Sequence, residues 1–235
     1  MNPPENHRLP GPVLRRFPRY LTHVRELKKV NQTWVSSREI AETLGLTTST
    51  VRQDMSHLDL TGVSKRGYAV IRLEQVLGDT LGAHTEHRDV IIGAGLMGRA
   101  LALHADFGEH GFKTVALFDS DPKVIGRKVG HLLVRPMRHL KRTVRDQKVD
   151  IGVIAVPAAA AQSVADQLVA AGIKGLLNLA HTHLHVPKHV YVVEARLLAR
   201  MQEIAYAIRT RDRKNAPPAA IVPAPPPLPT IPPVA

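Results

Sequence analysis

An α/β protein with a small helical module ahead of a parallel sheet is the fold class this sequence predicts, on three observations. Residues 36–58 hold two short helical patterns around a tight turn at Gly45-Leu46. Residues 84–193 alternate short β-branched runs with helical stretches, the rhythm of βαβ units. Inside that region Asp89-Val90-Ile91-Ile92 runs straight into Gly93-Ala94-Gly95-Leu96-Met97-Gly98 and then into Arg99-Ala100-Leu101-Ala102. Strand, glycine loop and helix in that order form a phosphate cradle. The expected layout is a flexible N-terminus (1–11), a first module (12–80), a Rossmann-type domain (84–193), a terminal helix (194–212) and a disordered proline-rich tail (213–235).

Composition narrows the function classes. The chain has 235 residues, 44% of them hydrophobic but only 4% aromatic, so Leu, Val, Ile and Ala must build the core. Cysteine is absent, which excludes disulfide scaffolds, thiolate metal sites and cysteine nucleophiles. No run of 18 apolar residues occurs and the start does not read as a signal peptide, so the expected location is the cytoplasm and no membrane role is expected. A net charge of +12 favours a polyanionic partner, nucleic acid first.

In the first module, Leu14, Phe17, Leu21, Val24 and Leu27 give one helix an inner face. Arg15, Arg16, Arg19, Arg25, Lys28 and Lys29 stud its outside, with Arg16 taken as a DNA contact. Ser36 and Glu39 form a capping box for a second helix with Ile40, Ala41 and Leu44 inside and Gly45 at its end. Thr47 or Thr48 caps a third through Val51, Met55 and Leu58. Such spacing is that of a helix-turn-helix, whose third helix turns Thr48, Ser49, Thr50, Arg52, Gln53 and Ser56 outward. Arg52 suits a guanine edge, Gln53 an adenine edge, and the hydroxyls suit phosphates. Gly62 to Gly67 followed by Tyr68-Ala69-Val70-Ile71 reads as a hairpin wing carrying Lys65 and Arg66 to backbone or minor groove.

In the second domain, Gly93 makes the tight turn, Gly95 lets backbone approach a pyrophosphate, and Gly98 lets helix pack on strand, with Ala94, Leu96 and Met97 completing the loop. A second strand, Thr114 to Phe118, ends in Asp119. That acid lies 21 residues past Gly98, where a ribose hydroxyl acceptor belongs, which favours NAD(H) over NADP(H). Between Lys123 and Lys148 stand nine basic residues and one acid, Asp146, a pattern open to two readings: a DNA-binding surface or a solvated helix face. His181, His183 and His185 alternate as on one strand face; with no fourth ligand nearby, hydrogen-bonding histidines are the better reading and no metal is expected. Leu197, Leu198, Met201, Ile204, Ala205 and Ile208 give the last helix a wide apolar face that must be buried in its own domain or on a partner.

The chain resembles Rex, the bacterial redox-sensing transcriptional repressors, from Pro12 to Arg209. The likeness is carried by Arg16-Phe17-Pro18-Arg19-Tyr20-Leu21, Val35 to Ala41, Val51-Arg52-Gln53-Asp54-Met55-Ser56, Gly93 to Leu101, Phe118 to Lys123, Val156-Pro157-Ala158, Ala171 to Gly175 and Asn178-Leu179-Ala180. The resemblance implies a homodimer that exchanges its last helix, an NAD(H) site that includes Pro157, and operator DNA bound when NADH is scarce and released when it rises. Two-fold symmetry implies a palindromic operator. Where the family usually has a tyrosine and an aspartate that couple cofactor to domain rotation, this chain has His104 and Arg196; the family's acidic helix corresponds to the basic Pro136 to Lys148. Rival readings are a constitutive repressor, a coenzyme A-responsive one, and an NAD-dependent dehydrogenase. Beyond residue 193 one helix and a proline tail leave little material for a substrate domain, so no enzyme is expected.

Overall fold

The computed structural model of the protein describes residues 9–104 and 106–215. The expected flexible start therefore lies almost wholly outside the described residues, as does the tail beyond Asn215.

Helix α1 (Gly11–Lys29) opens with Pro12 in its first turn, where a missing N–H costs nothing, and closes with Lys28 and Lys29 against its negative end. After strand β1 (Trp34–Val35), α2 (Ser37–Leu44) begins with the full capping box: Ser36 Oγ accepts from Glu39 N, and Ser36 N donates to the Glu39 carboxylate. Gly45 ends it at φ +66, a left-handed turn that glycine adopts without strain. Helix α3 (Thr48–Met55) is capped by Thr47. Val51 and Met55 are buried with Phe17, Val24, Ile40 and Ala41 in one core.

One element differs from the sequence reading, and two residues the sequence left unassigned, Tyr20 and His23 of α1, are buried. The wing strand is only Tyr68–Ala69 (β2), paired antiparallel with β1, and Val70–Leu81 forms a helix, α4. Two adjacent β-branched residues suggested a strand. But Val70, Leu73, Val76 and Leu77 recur at helical spacing and are all buried, and Gly82 at φ +68 stops the helix.

The second domain adds β3 (His87–Ile92), α5 (Leu96–Ala102), α6 (Asp106–Glu109), β4 (Phe112–Asp119), β5 (Lys128–Val129), β6 (Leu132–Pro136), α7 (Leu140–Asp146), β7 (Ile151–Ile154), α8 (Ala158–Ala170), β8 (Gly175–Asn178), β9 (Tyr191–Glu194) and α9 (Leu197–Asn215). Seven strands form one sheet in the order β5-β6-β4-β3-β7-β8-β9, parallel except for the β5–β6 edge hairpin. Side chains alternate across it. Val90, Ile92, Phe118 and Ile154 pack on the face covered by α7 and α8, while Ile91, Leu117 and Val153 point to the other.

That second face is incompletely covered. An apolar groove of about 370 Å³ crosses it, lined by Ile91, Phe112, Val153, Leu177, Tyr191 and Val193 among others. The large apolar side chains of α9 that the sequence placed on one face are 54–66% exposed. Strand β9 takes Glu194, and α9 runs through Asn215, so the last helix begins and ends three residues later than expected. The histidine tract is not a strand; it forms the connection between β8 and β9.

Candidate functional site

Strand β3 lies at the centre of the sheet, and the chain leaves it toward β4 on one side and reaches β7 on the other. At such a switch point the loops at the strand ends part and open a crevice. The loop Gly93–Gly98 occupies it. Gly93 sits at φ +105, and a Cβ there would come 2.4 Å from the Ala155 carbonyl oxygen. A Cβ on Gly98 would stand 1.9 Å from the Gly93 carbonyl, so only glycine lets α5 settle on β3. Gly95 is different. Its φ of −70 suits any residue and a Cβ would meet nothing within 4 Å, so the fold alone does not require glycine there. The bare backbone there leaves open space in front of the loop.

Asp119, at the end of β4, is drawn to the same loop: its Oδ2 accepts from Ala94 N at 2.7 Å and its Oδ1 from Asp121 N at 2.9 Å. Each oxygen keeps a lone pair, so the carboxylate is held rigidly and still able to accept a hydroxyl. Leu96 and Met97 are exposed beside the loop. Pro157 is exposed at the start of α8, directly after the Ala155-Val156 segment that Gly93 abuts. The residues fit a dinucleotide: backbone for the phosphates, a fixed acceptor for a ribose.

Two further polar groups stand out, of which the first went unread in the sequence. Asp89, 6% exposed, lies at the floor of the apolar groove and accepts from the Thr114 hydroxyl at 2.9 Å. Burial pushes its carboxyl up to about 6, the Thr114 bond opposing only in part. The folded value exceeds the unfolded one, so stability is full below pH ~4 and falls as pH rises through 6, by up to about 3 kcal/mol. An Asp89→Asn protein is expected to match the parent at pH 4 and to melt higher than it at pH 7.5; identical melting at both pH values would contradict this. The second group is a clasp at the root of α9, where His183 Nδ1 meets Glu194 at 2.8 Å and Arg196 contacts both. His104 packs against Phe107 with ring centroids 5.1 Å apart. Among the described residues no three His, Cys, Asp or Glu side chains converge as metal ligands.

On the first module, Ser49, Arg52, Gln53 and Ser56 are exposed along α3 and Thr50 is half-buried. Thr47 Oγ1 bonds the hydroxyls of both Ser49 and Thr50, at 2.9 and 2.7 Å. Lys65 is exposed at φ 65, and the Arg66 guanidinium lies 5.5 Å from the Trp34 ring centroid. Arg16, expected at the DNA, is paired within the module, with 24% of its side chain exposed. Its Nε and Nη2 each donate to Asp54 at 2.6 Å, and the Tyr20 hydroxyl donates to the same carboxylate at 2.5 Å. Burial works against ionising Asp54, but the two donors and the Arg16 charge outweigh it and hold its carboxyl below the usual range. Tyr20 is pushed well up, by burial first and then by Asp54. The three side chains fasten α3 to α1. Their signal lay in spacing: Asp54 stands one turn after buried Val51, and Tyr20 one turn after Phe17.

A helix-turn-helix joined to a dinucleotide-type cleft defines a transcription regulator that answers to a nucleotide. The comparisons agree. A family model described as putative DNA-binding protein N-terminus matches residues 8–56, and one described as CoA binding domain matches 84–182. The redox-sensing transcriptional repressor Rex of Clostridium perfringens is 35% identical over 202 residues, covering 86% of this chain and 95% of its own. That of Chloroflexus aurantiacus is 38% identical over 197 residues, covering 84% and 93%. Among solved structures, RSP, a Rex-family repressor, is 32% identical, with a TM-score of 0.81 over 88% of this chain and 97% of that one. The same protein solved with β-NAD+ and operator DNA gives 0.82 over 88% and 96%. The chain belongs to the Rex family of redox-sensing transcriptional repressors and is a regulator rather than an enzyme.

Proposed function

We propose that the protein is a homodimer that represses transcription from a palindromic operator in the cytoplasm and leaves the DNA when NADH fills the Gly93–Gly98 cleft. The observation that carries the ligand is Gly95, a glycine that the fold does not need, beside a carboxylate pinned to the same loop. Gly93, Ala94, Gly95, Leu96, Met97 and Gly98 would hold the pyrophosphate, Asp119 the adenosine ribose, and Pro157 the wall toward the nicotinamide. The dinucleotide supplies a ring whose positive charge disappears on reduction. A ligand shifts the protein only by binding its two states unequally, so NADH and NAD+ must favour different ones. RSP has been solved both with β-NADH and with β-NAD+ and operator DNA.

The division into two modules between α4 and β3, each with its own core, gives the ligand domain something to move. The exposed apolar side chains of α9 and the apolar 370 Å³ groove each lack a cover in a single copy, which supports exchange of α9 between two copies. No described helix is long and apolar enough to cross a membrane.

The match to a CoA binding domain supports coenzyme A as the second reading. Asp119 argues against it: a carboxylate at the ribose repels the 3′-phosphate of coenzyme A as it repels the 2′-phosphate of NADPH. Parallel calorimetric titrations with NADH, NAD+, NADPH and acetyl-CoA decide. NADH well ahead of the rest is expected; acetyl-CoA in front would replace the redox reading.

On the DNA side, Ser49, Thr50, Arg52, Gln53 and Ser56 of α3 would enter the major groove, with Lys65 and Arg66 at the flank. Arg52→Ala is expected to lose about 1–3 kcal/mol of discrimination at one base pair of each half-site. Binding measured on single-base operator variants checks it, and an unchanged base preference would remove Arg52 as a reader.

A further inference from the structure

The basic run between Lys123 and Lys148 is not consumed by the cleft or by α3, and the fold gathers it on one edge of the sheet. In the β5–β6 hairpin Leu132 and Val134 are buried, so Leu133 and Arg135 alternate outward, and Lys128 pairs opposite Leu133. Lys128 and Arg135 thus share the exposed face. Pro136 ends β6, and after the turn 137–139 the chain enters α7, whose Leu140, Thr143 and Val144 are buried. Lys141, Arg142 and Arg145 take the outer side of α7, and Arg138 precedes them, exposed. Of these cations only Arg142 and Arg145 have an ion-pair partner among the described residues, and they share one, Asp146.

We infer that this edge is a second DNA surface, one that binds the phosphate backbone of duplex flanking the operator. The inference rests on the proposed operator binding, which brings DNA alongside the domain. Its chemistry separates the candidate partners. No Phe, Tyr or Trp occurs from Lys123 to Lys148, so nothing is present for single-stranded bases to stack on. A protein partner needs a buried aromatic or apolar anchor, and a membrane needs residues to insert; among the residues of the hairpin and α7 only Leu133 is a large apolar side chain exposed here. Cations on a rigid hairpin and helix, without apolar anchors, suit duplex phosphates, where release of counterions supplies the affinity and the sequence is not read. The first 80 residues carry 12 Lys and Arg against 8 Asp and Glu, a modest excess for the whole DNA-binding charge, and this edge adds to it.

The test compares the parent with a protein carrying Arg135→Gln, Arg138→Gln, Lys141→Gln and Arg145→Gln, all at exposed positions. Each is bound, without NADH, to a minimal operator duplex and to one extended by long random flanks, across a salt series. The parent is expected to show a steeper fall of log affinity with log salt on the long duplex than on the minimal one. In the variant that extra slope, about 0.9 for each lost phosphate contact, should vanish. The minimal duplex should bind both proteins alike. Equal slopes for parent and variant on the long duplex would overturn the inference, as would variant-sensitive binding to phosphatidylglycerol vesicles or to an acidic protein with DNA slopes unchanged. Failure of operator binding itself would show separately, as loss of sequence preference by the parent on the minimal duplex.

Discussion

Asp54→Ala is expected to cost the N-terminal module about 1–3 kcal/mol and to lower its melting transition. The substitution removes the acceptor of three short hydrogen bonds and leaves the Arg16 guanidinium and the Tyr20 hydroxyl facing a vacated interior. The Tyr20 hydroxyl, buried and left without an acceptor, is the costlier loss, while part-exposed Arg16 can turn to water. Operator affinity should fall with stability, because α3 is held at its angle by this carboxylate. Asp54→Asn, which keeps one acceptor oxygen, should lie between. Nucleotide titration should be unaffected, since the cleft belongs to a separate core. The acid limb follows the same logic. The folded carboxyl titrates below its unfolded value, so its contribution is full above pH ~4 and disappears as pH falls through the lower folded value. Calorimetric melting with resolved transitions reads all of this; an Asp54→Ala protein that melts and binds DNA as the parent does would show the network to be idle.

Gly95→Val is expected to weaken nucleotide binding by roughly 10- to 100-fold in a protein that still folds. A Cβ there meets nothing within 4 Å, and the φ of −70 is open to valine, so the fold loses only up to about 1 kcal/mol from the helix cap. With phosphates approaching the same backbone, the branched side chain occupies their space, at a cost of about 1–3 kcal/mol or more, roughly 10- to 100-fold in affinity. Operator binding should persist and should no longer respond to NADH at concentrations that saturate the parent. Gly98→Val is the contrasting case. Its Cβ would stand 1.9 Å from the Gly93 carbonyl, so loss of binding there would come with loss of packing. Undiminished NADH affinity in Gly95→Val would place the cofactor elsewhere.

What the sequence disclosed follows from how local each signal is. The capping box at Ser36, the Gly45 turn and the glycine loop are written within a few consecutive residues, and the structure builds all three. The α/β alternation gave the sheet because each strand is a short apolar run bounded by turns. The helix at Val70 was missed because two β-branched residues after a short strand extend that strand by local preference, while burial of Val70, Leu73, Val76 and Leu77 in the core shared with α1 decides otherwise. The ion pair of Arg16 with Asp54 was hidden for a related reason. The position of Arg16 among cations on an amphipathic helix says nothing of a carboxylate 38 residues away. Asp89 carries the same lesson: an acid at the head of a strand reads as an edge residue until the sheet puts it under an apolar groove.

The central claim, that the nucleotide cleft governs the grip of α3 on DNA, is tested most directly by fluorescence anisotropy of a labelled operator duplex held by the protein and titrated with NADH, then with NAD+. NADH is expected to release the duplex, NAD+ at the same concentration to release little or none, and neither to release it from Gly95→Val at concentrations that saturate the parent. An operator complex indifferent to NADH, formed by a protein that binds NADH in calorimetry, would contradict the central claim and leave a repressor whose second domain serves another purpose.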